Sequence, residues 1–147
     1  MHVFYCDDDR DDLHFFKLVL QRIDPAIKLT VCDDATSAID ALAGLPVKPD
    51  YLFFDCRMPK LDGIECAIDI KRNKDLKKIP LVMISDELDG KSVRDFNKLG
   101  VFLFLSKTNL DDLETALRSL LKMKWKSKHE IWAFSDSQSY LAMIQRF

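Results

Sequence analysis

Along this chain, short blocks of consecutive apolar residues alternate with longer stretches in which apolar positions recur every three or four residues. The short blocks fall at residues 3–6, 29–32, 51–54, 81–84 and 102–105, each bounded by Asp, Pro, Gly or Lys. Runs of this length and punctuation predict β-strands. Several are apolar at successive positions, as expected of parallel strands covered on both faces.

The intervening segments carry helical spacing. Leu13, Phe16, Leu20 and Ile23 form one stripe, closed by Asp24-Pro25. A shorter helix is expected over residues 35–43, with Ala38, Ile39 and Leu42 facing inward and Gly44 ending it. A third covers residues 62–73 and puts Ile64, Ala67, Ile68 and Lys71 on one face, and a fourth covers residues 89–99 and stops at Gly100. In the fifth, Leu110, Leu113, Leu117, Leu120 and Leu121 share a stripe behind Asn109 as N-cap. Strand and helix repeated in this way favour an open parallel sheet with helices on both faces and right-handed crossovers. Functional groups in such sheets collect beyond the carboxyl ends of the strands.

Bulk properties narrow the picture. A length of 147 residues suits one ordinary domain, and 48% hydrophobic with 31% charged residues is a soluble globular balance. A formal net charge of −2 supplies no general attraction to nucleic acid or to an anionic membrane, so direct nucleic-acid binding is not expected. No apolar run approaches the roughly 20 residues needed to span a bilayer. The first residues run into aspartates and lack the parts of a signal peptide, so a cytoplasmic location is expected. Cys6, Cys32, Cys56 and Cys66 show no metal-ligand spacing and read as small buried hydrophobes in a reducing compartment. After Lys124 the composition changes, and domain organisation is read as residues 1–124 plus an extension, 125–147. The extension is polar and basic at first, then rich in aromatics, with a short strand expected, or a short helix carrying Tyr140, Leu141, Ile144 and Phe147. Its apolar groups predict either docking onto the domain or a homodimer contact.

The predicted strand ends concentrate the chemistry. The first leads into Asp7-Asp8-Asp9, the third into Asp55 and the fourth into Ser85, while Lys107 closely follows the fifth. Carboxylates gathered at one edge repel one another unless a cation offsets them. Oxygen ligands with room for water suit Mg²⁺. Lys107 offers a mobile positive charge to phosphate oxygens and Ser85 a hydroxyl donor. This set fits nucleophilic attack by a carboxylate on a phosphoryl group, with Asp55 the central candidate. Asp11 and Asp12 read instead as first-turn residues favoured by the helix dipole.

Taken in order, Asp7-Asp8, the run from Phe54 to Pro59 around Asp55, Asp62-Gly63, Ser85 and Phe104-Leu105-Ser106-Lys107 resemble the receiver domain of two-component response regulators, over roughly residues 2 to 124. The resemblance implies a flavodoxin-like, doubly wound five-stranded parallel sheet of order 2-1-3-4-5, in a stand-alone receiver. It implies Asp55 as phospho-acceptor, and Mg²⁺ held by Asp7, Asp8, Asp55 and the backbone carbonyl of Arg57. Ser85 and Lys107 would contact the phosphoryl group, and Phe104 would be the aromatic switch residue. A histidine kinase or phosphotransfer protein would be the donor and a downstream protein the target. Such a protein is a signalling switch that catalyses only its own aspartyl phosphorylation and dephosphorylation.

Three positions depart from the family pattern. Thr108 stands where proline usually follows the lysine, often in a cis peptide. A non-proline cis bond costs about 3 kcal/mol, so a trans or more mobile loop is expected. Asp86 adds negative charge beside the acceptor, and Phe104 lacks a tyrosine hydroxyl. These departures leave a second reading, a phosphorylation-independent interaction module. A phosphate-ester hydrolase is disfavoured, because Arg57 occupies the position two residues after Asp55 where such enzymes carry an acid–base aspartate.

Overall fold

The computed structural model describes residues 1–86, 90–101, 103–107, 109–122 and 141–142. Five parallel strands, β1 (His2–Cys6), β2 (Lys28–Cys32), β3 (Tyr51–Asp55), β4 (Leu81–Ser85) and β5 (Leu103–Ser106), lie in the order β2-β1-β3-β4-β5. They alternate with α1 (Arg10–Ile23), α2 (Ala35–Gly44), α3 (Gly63–Arg72), α4 (Gly90–Lys98) and α5 (Leu110–Lys122). This is the expected flavodoxin-like topology. A two-residue strand, β6 (Leu141–Ala142), adds an antiparallel edge against Leu105 and Phe104, a sixth strand beyond the expected five. The short helix read over Tyr140, Leu141, Ile144 and Phe147 is corrected at Leu141, whose backbone pairs with β5 as part of β6, while Phe102, Asp89, Thr108 and the rest of the extension lie outside the described residues.

Alternating side chains divide the sheet between two cores. Val3, Tyr5 and Phe53 pack on one face against α1 and α5, while Phe4, Cys6, Phe54 and Phe104 pack on the other with α2, α3 and α4. Burial of β1, β3 and β4 at every position agrees with their continuous apolar runs. On the α1 side Phe16 bridges Tyr5 and Phe53, with ring centroids 4.4 and 5.1 Å away. All four cysteines are free thiols, Cys6 and Cys66 buried and Cys32 and Cys56 half-buried. No described helix is long and apolar enough to cross a membrane.

Helix ends follow local chemistry, with two corrections. Asp24 caps α1, its N–H reaching the Leu20 carbonyl at 2.9 Å, and Asn109 Oδ1 accepts from the Asp112 N–H at 3.0 Å to open α5. Gly100 has the left-handed φ of 74° anticipated after α4. Gly44 instead stays within α2. The terminal carbonyls of that helix are satisfied by Lys48, whose Nζ reaches those of Leu42, Ala43 and Leu45 at 3.1, 2.7 and 2.8 Å. A charged side chain does here what a glycine cap does elsewhere. The second correction concerns α3, which buries Gly63, Cys66, Ala67 and Ile70, whereas Ile68 and Lys71 lie at the margin. The buried face begins at Gly63, where the neighbouring backbone comes close, and runs through Cys66 and Ala67 to the larger Ile70.

Gly63 shows that closeness directly. A Cβ there would lie 2.8 Å from Met83 Cε and 3.0 Å from the Cα of Cys56. The Gly63 N–H donates to the Cys56 carbonyl at 3.2 Å, and Asp62 and Glu65 form a reciprocal capping box. The loop that follows β3 is thus folded back over the strand end, turning through Lys60 at a left-handed φ of 71°. That fold-back fixes the backbone next to Asp55.

Candidate functional site

Parallel strands ending in register bring four sequence-distant side chains to one edge. Asp7 follows β1 and is fully buried, Asp55 ends β3 at 4% exposure and Ser85 ends β4 at 2%. Lys107 follows β5, tied by its N–H to the Ser85 carbonyl at 2.9 Å. Together with Asp8, Asp9, Asp12, Arg57 and Asp86 they line a cavity of about 200 Å³.

Lys107 is the hub of the charges. Its Nζ lies 2.9 Å from Asp7 Oδ2, 2.9 Å from Asp55 Oδ1 and 2.7 Å from Asp12 Oδ2. The other oxygens of the buried pair are held by backbone. Asp7 Oδ1 accepts from the Asp9 N–H at 2.9 Å and Asp55 Oδ2 from the Arg57 N–H at 2.8 Å. Tyr5 donates its hydroxyl to Asp7 Oδ2 as well.

Charge balance sets the titration behaviour. Burial raises the Asp55 carboxyl above the ordinary carboxylate range and the charge of Asp7 adds to it, with Lys107 and the Arg57 N–H opposing. Burial pulls the Lys107 ammonium down, but its hydrogen bonds to Asp12, Asp55 and Asp7 outweigh burial and hold it above the usual lysine value. The Cys56 thiol is pushed up to about 12, by burial first and by Asp55 second, with a hydrogen bond from Ser85 opposing. A thiol so placed is not a nucleophile at neutral pH. Six aspartates against one lysine and one arginine leave the cavity rich in negative charge.

That excess suits a hard cation. Asp7, Asp8 and Asp55 each present a carboxylate oxygen, all within 4.8 Å of one another, with Asp8 exposed and the other two buried. An all-oxygen set open to water on one side fits Mg²⁺ or Mn²⁺ and not a thiolate-seeking metal.

The predicted residues Asp7, Asp8, Asp55, Ser85 and Lys107 thus converge. Arg57 is exposed on the cavity rim, where its backbone and not its charge meets Asp55. Phe104 points away from the cavity system into the core, edge-on to Phe96 of α4 at 5.4 Å. Asp86 is exposed beside the cavity. Two participants had not been anticipated from sequence. Asp12, a first-turn residue favoured by the helix dipole, also binds Lys107, and Tyr5, a β1 residue to which the sequence assigns no site role, binds Asp7. The general direction of each side chain was legible, but its partner was not. Tyr5 shares a strand face with Asp7 by the two-residue period, and an Asp in a first turn leans back toward the strand ends.

Comparison with known proteins gives a consistent family. The response regulator receiver domain model matches residues 3–118. Response regulator Rcp1 of Synechocystis is 37% identical over 67 residues, covering 45% of this chain and 46% of the relative. Stress response regulator protein 1 of Meyerozyma guilliermondii is 25% identical over 119 residues, covering 76% and 54% respectively. The chain therefore spans about half the length of these curated relatives. Among solved structures, the Mn²⁺-bound form of response regulator Rcp1 superposes with a TM-score of 0.74 at 24% identity, covering 86% of this chain and 99% of that one. At that identity the likeness speaks for the fold.

Proposed function

The chain belongs to the family of response regulator receiver domains, and from that premise we propose that it accepts a phosphoryl group on Asp55 in a two-component or phosphorelay pathway. The observation that carries this reading is the buried Asp55 carboxylate held 2.9 Å from Lys107 Nζ beside the Asp7–Asp8 oxygens.

Asp7, Asp8, Asp55 and the Arg57 carbonyl would hold Mg²⁺, which when bound offsets negative charge on the phosphoryl oxygens. The remaining work belongs to the chain. The Arg57 N–H fixes Asp55 Oδ2, leaving Oδ1 to turn from Lys107 toward an incoming phosphorus. An O–P bond forms as the P–N bond of a donor phosphohistidine breaks, and the imidazole nitrogen keeps that electron pair. Lys107 and the Ser85 hydroxyl then receive the phosphoryl oxygens. Drawing Ser85 and Lys107 inward shifts β4 and β5 at their ends. Phe104, packed on Phe96, links that shift to α4, where a downstream protein would read it as a population change. In this reading the protein is a cytoplasmic switch and not a turnover enzyme.

Intact-mass measurement after incubation with Mg²⁺ and a small phosphodonor tests it. One added phosphoryl group is expected in the wild type and none in Asp55→Asn. If neither an adduct nor BeF₃⁻ binding is found, the phosphorylation-independent module takes its place. Exposed Asp86 beside the anionic site is the observation that would explain such an outcome.

A further inference from the structure

Lys107 has three ammonium protons, and three carboxylates take them: Asp7, Asp55 and Asp12. The first two have other prospective business. Their oxygens belong to the cation-binding set with Asp8, and Asp55 Oδ1 is the atom that would meet phosphorus. Asp12 belongs to neither. It sits in the first turn of α1, outside the three-carboxylate set, with its side chain 37% exposed, and makes the shortest of the three contacts at 2.7 Å.

We infer that Asp12 is a positioning residue that keeps the Lys107 ammonium at the mouth of the cavity when the cation and the phosphoryl group claim Asp7 and Asp55. This rests on the reading of Asp55 as acceptor. Without an anchor, a lysine released by both buried carboxylates would swing into solvent, because its four-carbon stem is flexible and its ammonium strongly hydrated. Asp12 removes that option. One ammonium N–H keeps donating to Asp12, and the other two turn to the phosphoryl oxygens. The anchor reaches Lys107 from α1, a different element from the strand that carries the lysine, packed with α5 and β5 in one core layer.

The test is amine labelling of the full-length protein in saturating Mg²⁺, with the rate at Lys107 followed by peptide mass. Lys107 is expected to label about tenfold faster in Asp12→Ala than in wild type, the loss of one charge-assisted hydrogen bond. Asp12→Glu, which keeps the charge, is expected to restore most of the protection. Lys17, exposed further along α1, serves as the structural control. Unchanged Lys107 labelling in Asp12→Ala overturns the inference, as does equal acceleration at Lys17, which would mean fraying of the helix. Because labelling needs no phosphoryl transfer, it decides the matter even if Asp55 proves not to accept. In a wild type that binds BeF₃⁻, Asp12→Ala should also weaken that binding about tenfold, and undiminished binding would deny the anchored lysine its role at the phosphoryl group.

Discussion

The two ends of the parallel sheet handle buried polar groups in opposite ways. At the amino end, His2 donates its N–H to Asp50 Oδ2 at 2.7 Å, and its Nε2 meets Thr30 Oγ1 at 2.8 Å. The buried His2 there has a separate partner for its backbone N–H and for its ring nitrogen. At the carboxyl end, three carboxylates share one ammonium and three more line the same cavity. The same strands thus run from a finished edge to an unfinished one. An edge left with surplus charge is held at a cost in stability, and what it gains is affinity for cations and for groups that arrive with them.

Removing the hub should break the contrast most severely. Lys107→Met leaves fully buried Asp7 and nearly buried Asp55 without their cation. A loss of about 3–5 kcal/mol is expected in urea unfolding without metal, with much of it recovered in Mg²⁺. A loss that Mg²⁺ does not relieve would mean that the lysine holds the fold by packing and not by charge.

Removing one of the competing carboxylates should have the opposite sign. Burial and Asp7 hold the folded Asp55 carboxyl above its unfolded value. The fold therefore prefers its protonated form, and that preference is fully present below the unfolded value and lost as pH rises through the raised one. At neutral pH the ionised Asp55 is a burden, so Asp55→Asn is expected to stabilise the metal-free protein by about 1–3 kcal/mol. The advantage over wild type should shrink as pH falls through the carboxylate range, and Mg²⁺ should shrink it at neutral pH. Denaturant titrations at several pH values would show this, and a variant less stable than wild type in metal-free buffer would reverse the sign of the argument.

What could be read from sequence follows the same division between ends. Asp7, Asp55, Ser85 and Lys107 lie at or just beyond apolar runs, and a run's end marks a strand's end, so their convergence needed only the topology. Asp12 had no such marker. Its link to Lys107 spans 95 residues and depends on how α1 leans over the sheet, which no period in the sequence encodes. The α3 face failed for a related reason. Ile64 and Ile68 outweigh Cys66 and Ala67 in hydrophobicity, yet the close approach at Gly63 turns α3 so that Gly63, Cys66, Ala67 and Ile70 are the buried face. Gly44 misled because Lys48 satisfies the α2 carbonyls from outside the helix. In each case a local rule was displaced by a contact made only after packing.

The amino end offers the smallest effect and the sharpest control. Burial lowers the His2 pKa below the ordinary value, with Lys28 adding to the shift and Asp50 opposing it. A histidine depressed in the fold contributes stability that is present above the unfolded value of about 6.5 and is lost as pH falls through that window. Wild type should therefore lose a fraction of a kcal/mol between pH 7 and pH 5.5 from this group. Thr30→Val removes the hydroxyl that meets Nε2 and should cost about 1 kcal/mol at pH 7. Neither effect should respond to Mg²⁺, because every group involved lies at the amino end of the strands, away from the cation-binding carboxylates. A Thr30→Val cost that changes with Mg²⁺ would mean that the two edges communicate through β1, and that the balanced end is part of the switch and not merely its foundation.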